Sequence, residues 1–412
     1  MAKKEFTNTL YTHDNLFILT GMNSHLVDLI YLDPPFNTKR MYSAPIGSKA
    51  AGTSFKDMWT WQDVNEAYLD ALADNFPALA RFIGDVGKIH SKAMMAYLTY
   101  MAQRIIEMHR VLKDTGSLYL HCDPTASHYL KILLDEIFDK NNFRNEIVWC
   151  YRGGGSSKKD FGRRHDVLFR YSKSKNYVFD ANAVRIPYEA EGMGRKDDAM
   201  WGKHKGSEKI YKPNPLGKIP EDWWTMNILN ANSPERTGYP TQKPLALLHR
   251  IIKASSNEGD IVFDPFCGCA TTCVAAQQLD RKWIGIDIEK QAVDILVERL
   301  SDDAGLFKDF INTTMVPQRT DVKYESKSSS VKERLFKEQN GLCNGCGNDY
   351  LLKDLEIDHI IPQTKGGGDY YENYQLLCGS CNRIKGKRPM EYLRLKIKTR
   401  EEMMKNQIIF GE

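Results

Sequence analysis

Two strands that each run straight into Asp-Pro constrain this chain more than any other feature. Val27-Asp-Leu-Ile-Tyr-Leu32 is a short β-rich run that stops at Asp33-Pro34-Pro35, because two prolines cannot continue a hydrogen-bonded ladder. Asp260–Phe263 repeats the pattern, meeting Asp264-Pro265 and a turn of small residues before a helix begins at about Thr271. Around them strand signals alternate with helical periodicity. Met94, Leu98, Met101, Ile105, Met108 and Leu112 follow i+3, i+4 spacing and predict an amphipathic helix over 91–112, its methionine-rich stripe read as core. Lys113–Gly116 should turn the chain into a strand at Ser117–His121. Asp123 with Pro124 predicts the start of a helix through Phe138, and Glu146–Cys150 is a further strand. After Pro244 the rhythm resumes. A helix runs to about Ser256, and the helix from Thr271 ends near Leu279. A strand at Trp283–Ile286 then leads into a helix from Glu289. Such alternation predicts one doubly wound α/β sheet.

Residues 151–243 break the alternation. They open on Gly153-Gly154-Gly155, hold Trp201, Trp223 and Trp224, and include a strand signal at Val167–Tyr171. The chain as a whole nets +4, whereas this segment nets +7, so all the excess positive charge lies in one insert. A polyanion-binding insert in an otherwise neutral enzyme has that distribution, as does a merely solvated loop. The 412 residues suffice for two or three domains. No run approaches the length of a membrane span, and Met1-Ala-Lys-Lys-Glu5 lacks a signal-peptide core. A soluble, cytoplasmic protein is the expectation. Of nine cysteines, five lie in apolar contexts and four form two C-x-x-C pairs, which reads as metal binding rather than disulfides.

The chemistry of the first motif follows from its residue types. A strand ending in Asp33-Pro34-Pro35-Phe36 sets a carboxylate, a rigid backbone carbonyl and a ring at the carboxyl edge, where open α/β sheets bind ligands. In the second, Asp264-Pro265-Phe266-Cys267-Gly268 leads through a tight turn to Thr271 and Thr272. Asp287 then ends the next strand, placed to accept bonds from a ribose diol. Alone, that second motif fits any nucleoside cofactor.

Together, in this order, the motifs resemble the β class of amino-group DNA methyltransferases, over about residues 5–300. The resemblance implies a Rossmann-like S-adenosylmethionine-dependent sheet interrupted by a target-recognition insert. Asp33, Pro34, Pro35 and Phe36 would form the catalytic motif. Asp264, Pro265, Phe266, Cys267, Gly268, Thr271, Thr272 and Asp287 would bind the cofactor, with Thr241 and Lys243 of Thr241-Gln-Lys-Pro244 on the same side. Leu120-His121-Cys122-Asp123 also recurs in relatives. Ala270 stands where many members have glycine, a small-for-small change expected to leave the pocket open. Asp at the first catalytic position implies N6-adenine as the target; the alternative is N4-cytosine. Duplex DNA is the implied partner, with Arg152, Lys158, Lys159, Arg163 and Arg164 of the insert on its phosphates. A methyltransferase acting on RNA or protein is disfavoured by the large basic insert, and a homodimer is a further expectation.

Tyr324–Ser330 is a polar stretch that predicts a linker over 321–330, little packing between modules, and a separate unit over 331–412. There Cys343, Cys346, Cys378 and Cys381 predict a four-thiolate structural Zn²⁺ site. Leu355-Glu-Ile-Asp358-His359, Gly366–Gly368, Asn373 and Asn382 lie between and beside the pairs, and the whole resembles the cysteine-bearing HNH nucleases over about residues 331–390. That resemblance implies a small zinc-stapled ββα-metal fold. His359 would be general base, Asn373 would orient it, and Asp358 and Asn382 would hold a catalytic Mg²⁺. The competing reading is a zinc-stapled DNA-binding appendage that does not cut.

Overall fold

The computed structural model describes residues 7–36, 40–44, 48, 54–57, 72, 73, 76–152, 158–188, 214–230, 232–289, 291–302, 310–322 and 328–409. Gly153–Gly155, Trp201 and residues 323–327 of the expected linker lie outside them. The chain opens with β1 (Thr9–Thr12), α1 (Asn15–Gly21) and β2 (Val27–Leu32), followed by a short hairpin, β3 (Arg40–Ser43) and β4 (Ser54–Asp57). Helices α2 (Pro77–Ile89) and α3 (Lys92–Val111) lead to β5 (Leu112–Cys122), then α4 (Ser127–Phe138), β6 (Phe143–Cys150), β7 (His165–Ser172) and β8 (Trp223–Thr225). The remainder of the sheet region is α5 (Leu245–Ser255), β9 (Ile261–Asp264), α6 (Thr271–Gln278), β10 (Lys282–Asp287), α7 (Gln291–Asp302) and β11 (Ile311–Thr313).

All of these strands except β3 and β4 form one nine-stranded sheet among the described residues, in the order β11-β1-β10-β9-β2-β5-β7-β6-β8. From β11 to β5 all pairs are parallel, while β7 runs antiparallel to both its neighbours. Alternate residues of each strand feed two separate cores. Ile30, Leu32, Leu118, Leu120, Ile261, Phe263, Ile284 and Ile286 pack against the α1, α3 and α4 side. Leu29, Tyr31, Tyr119, Val262 and Trp283 pack against α5 and α6 on the other face. A period of two with both faces covered by helices is what makes the arrangement doubly wound.

β9 and β2 are neighbours, yet β2 is followed outward by β5 and β9 is followed in the opposite direction by β10. This reversal opens a crevice beyond their carboxyl ends. Register places Ile30 beside Phe263, so the two Asp-Pro motifs leave the sheet side by side.

Local boundaries differ from expectation in three places, each for a chemical reason. The sheet hydrogen bonds of β5 begin already at Leu112, with a bulge opposite Val27 and Leu29, so Lys113–Gly116 is absorbed into the strand. Asp123 does not cap α4. Its side chain accepts from the Thr125 and Ala126 amides to stabilise a preceding turn, and the helix starts at Ser127. Ser328, expected in the linker, caps α8 (Ser329–Glu338) by accepting from the Val331 amide.

Beyond α8, β12 (Leu355–His359) and β13 (Tyr374–Cys378) form an antiparallel pair. They are followed by α9 (Gly379–Lys385) and α10 (Met390–Ile409), with a small core that includes Leu335, Leu355, Leu376 and Leu393. No described helix is long and apolar enough to cross a membrane.

Candidate functional site

The crevice at the strand reversal is a cleft of about 530 Å³, lined by Asp33, Pro34, Pro35 and Phe36 on one side and by the Asp264–Thr272 turn on the other. Its size falls within the range of cofactor pockets. Thr241 and Lys243 line it as well, as does Asp287.

Asp33 is the most informative side chain in it. Its Oδ2 accepts from Lys243 Nζ at 2.6 Å, and Oδ1 is buried with no hydrogen-bond partner among the described residues. A buried carboxylate oxygen without a donor is costly unless a ligand supplies one. Phe36 lies beside it, its ring stacked on His121 with centroids 5.8 Å apart, and Lys243 Nζ stands 5.3 Å from the same ring. Lys243 thus sits on the carboxylate of the first motif; its sequence context had placed it with the cofactor residues.

His121 is fully buried beneath Phe36. It bonds Tyr31 Oη at 2.9 Å through Nδ1 and Asp166 Oδ2 at 3.1 Å through Nε2, while Tyr151 donates to Asp166 Oδ1. Burial alone would raise the Asp166 carboxyl, but the bond and charge of His121, the charge of Lys243 and the bond from Tyr151 together outweigh it and hold Asp166 below the usual carboxylate range. The chain Tyr31–His121–Asp166–Tyr151 thus ties the end of β2 to the start of the insert.

Across the cleft, Asp264 receives Thr272 Oγ1 at 2.5 Å and the Phe266 amide at 3.0 Å. Burial still pushes its carboxyl up to about 7, with Asp33 and Asp287 adding to the rise. Asp287 accepts the Gly268 amide at 2.7 Å and the Glu289 amide at 2.9 Å, and burial raises it to about 6. Its Oδ2 therefore already holds the turn, while Oδ1 holds the chain leaving β10. Gly268 and Ala270 adopt left-handed φ values of +50° and +56°. Ala270 thus occupies a conformation that favours glycine, while its methyl is fully buried in the core behind the turn.

Sequence reasoning missed the residues that hold this turn from outside. Asn15 Nδ2 donates to the Pro265 carbonyl at 2.8 Å, and Arg104 Nε donates to Asn15 Oδ1 at 2.6 Å. Arg104 also pairs with Asp14, which caps α1, at 3.0 Å. The Asp14-Asn15 pair ahead of an apolar run was a readable helix-start signal, but nothing in it points to Pro265.

In the C-terminal unit, the Sγ atoms of Cys343, Cys346, Cys378 and Cys381 all lie within 4.8 Å of one another. Tetrahedral zinc at roughly 2.3 Å from each sulfur needs about 3.8 Å between sulfurs, so the set fits. Backbone amides of Gly345 and Cys378 point at Cys343 Sγ, and a side chain at Gly345 would collide with Cys381 Sγ at 2.9 Å.

The other expected nuclease residues are near one another but not arranged as anticipated. His359 Nε2 bonds Asp369 Oδ1 at 2.7 Å. The Asn373 carboxamide bonds not the imidazole but the intervening loop, accepting from Ile361 N and donating to Ile361 O and Gly368 O. Asp358 Oδ2 accepts from buried Lys385 at 2.8 Å and from Gln375 at 3.0 Å, and Asn382 donates to Glu356. Asp369, directly after the glycine run, was the missed partner.

Of the expected DNA contacts, Lys158, Lys159, Arg163 and the exposed Arg152 lie on the surface, and Arg164 is half-buried.

A doubly wound sheet with Asp-Pro-Pro-Phe and a nucleoside-type turn facing each other across its switch point is the framework of an α/β methyltransferase. A family model described as DNA methylase matches residues 27–298, and the chain belongs to that family. A second model, described as HNH endonuclease, matches residues 343–388. Among similar proteins are Type II methyltransferase M.BglII of Bacillus subtilis and DNA adenine methyltransferase YhdJ of Escherichia coli. M.BglII is 26% identical over 76% of this chain and 75% of its own. For YhdJ the identity is 28%, over 71% and 82%. The solved structure of a PvuII DNA methyltransferase, described as cytosine-N4-specific, aligns with a TM-score of 0.47 at 14% identity, covering 73% of this chain and 91% of that one. The protein is a DNA methyltransferase with an HNH domain.

Proposed function

We propose that this enzyme transfers a methyl group from S-adenosylmethionine to N6 of adenine in duplex DNA, with Asp33 as the acceptor that activates the amine. The buried Oδ1 of Asp33, without a partner among the described residues, carries the reading. An exocyclic amine is a poor nucleophile because its lone pair is conjugated with the ring. Asp33 Oδ1 and the Pro34 carbonyl can each accept one N–H, which favours a pyramidal nitrogen whose lone pair is free to attack. Lys243 fixes the carboxylate from its other oxygen. Phe36 offers a stacking face to a base drawn out of the duplex, and His121 holds that ring from behind. S-adenosylmethionine supplies an electrophilic methyl; Asp264, Pro265, Phe266, Cys267, Gly268, Thr271, Thr272, Asp287 and Thr241 form its side of the cleft. Adenine is favoured over N4-cytosine by the Asp at the first motif position, and YhdJ, a relative named for adenine, shares the overall match. Incubation with duplex DNA followed by nucleoside analysis should give N6-methyladenine; N4-methylcytosine would reverse the base assignment.

For the C-terminal unit the proposal is a cytoplasmic restriction–modification enzyme with zinc on the four thiolates and Mg²⁺-dependent nicking by His359. The family match and the fit of the thiolates support it. Asp369 holds the His359 ring, and Asp358 must exchange Lys385 for the metal. Nicking of unmethylated DNA that needs Mg²⁺ and disappears in His359→Ala tests this. Its absence leaves the DNA-binding appendage.

A further inference from the structure

We propose that Phe161 is a wedge that enters the base stack as the target nucleotide leaves it; the inference rests on the DNA-methylating function above. Phe161 is 100% exposed, the most exposed of the large apolar side chains described. Nothing among the described residues covers it, and burying a phenyl ring elsewhere would have been favourable. Its neighbours are unusual for a bare aromatic. In Lys158-Lys159-Asp160-Phe161-Gly162-Arg163-Arg164 four cations and one acid surround it, which suits a phosphate backbone and not an apolar protein partner.

Its placement is fixed by the sheet. Leu32 pairs with Leu120, Cys122 with Val167, and Cys150 with His165, so the segment between β6 and β7 leaves from the edge that carries Asp33. The Tyr151 amide bonds the Arg164 carbonyl at 3.0 Å and closes the base of the arm. Phe161 lies three positions before that anchor, a reach of at most about 11 Å. From Asp166 the Tyr31–His121 relay runs directly under Phe36. One aromatic thus faces the cleft to receive a base while a second stands on the adjoining arm. An apolar side chain inserted beside a flipped nucleotide replaces the stacking lost by its neighbours.

The test uses the full-length protein and two short synthetic duplexes carrying a sequence the wild type is found to methylate in phage DNA. In one the target base is paired; in the other it faces an abasic site and is already unpaired. Stacking of this kind predicts that Phe161→Ala loses about ten- to a hundredfold in methylation of the paired duplex. The deficit should nearly vanish on the unpaired one, with Phe161→Trp close to wild type on both. An equal loss on both duplexes, or none on either, overturns the wedge alone. A wild type inert on all DNA overturns the methylation reading and the wedge with it.

Discussion

Lys243 and Asp264 set the electrostatics of the cleft. Lys243→Met would leave the Asp33 carboxylate buried without its counter-charge, a loss of up to about 3 kcal/mol for a pair at a partly open rim. The variant should melt earlier and transfer methyl more slowly, with less change in cofactor affinity. A kinetic effect confined to cofactor affinity would return Lys243 to the cofactor side. Asp264 gives a prediction with a definite sign. Its folded pKa, about 7, lies above the ordinary carboxyl value, so its contribution to stability is full below about pH 4 and is lost as pH rises through about 7. Asp264→Asn keeps an acceptor for the Phe266 amide and a partner for Thr272. It should therefore raise the melting temperature at pH 8, by the equivalent of about 2–4 kcal/mol, and change little at about pH 4. Melting curves at the two values check it.

At the scale of elements, the turn after β9 is held by β10 through Asp287 and by α1 through Asn15, while α3 acts on it through Arg104, which bonds Asn15. Asp287→Ala should raise the dissociation constant of S-adenosylmethionine about ten- to a hundredfold, since charge-assisted bonds are worth about 1.5–3 kcal/mol. Part of that loss comes from the freed Gly268 and Glu289 amides rather than from the ribose. Calorimetric titration reads it directly. What was legible here is informative. β2 ends at Leu32 as expected because Pro34 and Pro35 offer the ladder no donor, and α3 follows its methionine stripe to within a residue at each end. The start of α4 was misplaced because an aspartate can cap a turn as well as a helix, and sequence does not tell which. Lys113–Gly116 joined β5 because a bulge accommodated residues that would otherwise form a turn. Asn15, His121 and Asp166 could not be assigned roles from sequence, since each acts through a partner between 45 and 250 positions away.

For the whole molecule, the question is how far the two units depend on each other. Residues 311–321 belong structurally to the sheet: β11 pairs with β1, and Asn23 and Ser24 bond Thr320 and Asp321. That segment also meets the C-terminal unit, where Arg319 stands 5.8 Å from the Tyr370 ring and a β-carbon at Gly366 would lie 3.4 Å from Val316. Among the described residues these contacts are few, so a fragment ending at residue 330 should fold and methylate DNA with a turnover number above about a tenth of the intact value. A lower value would mean the units work as one. Chelating the metal should unfold the C-terminal unit and leave methylation running. The central claim, that Asp33 acts on the amine and not on the cofactor, has its most direct test in single-turnover methyl transfer by Asp33→Ala, measured beside S-adenosylmethionine binding. The account predicts no detectable transfer to DNA with cofactor affinity kept within about tenfold of wild type; transfer at the wild-type rate would contradict it.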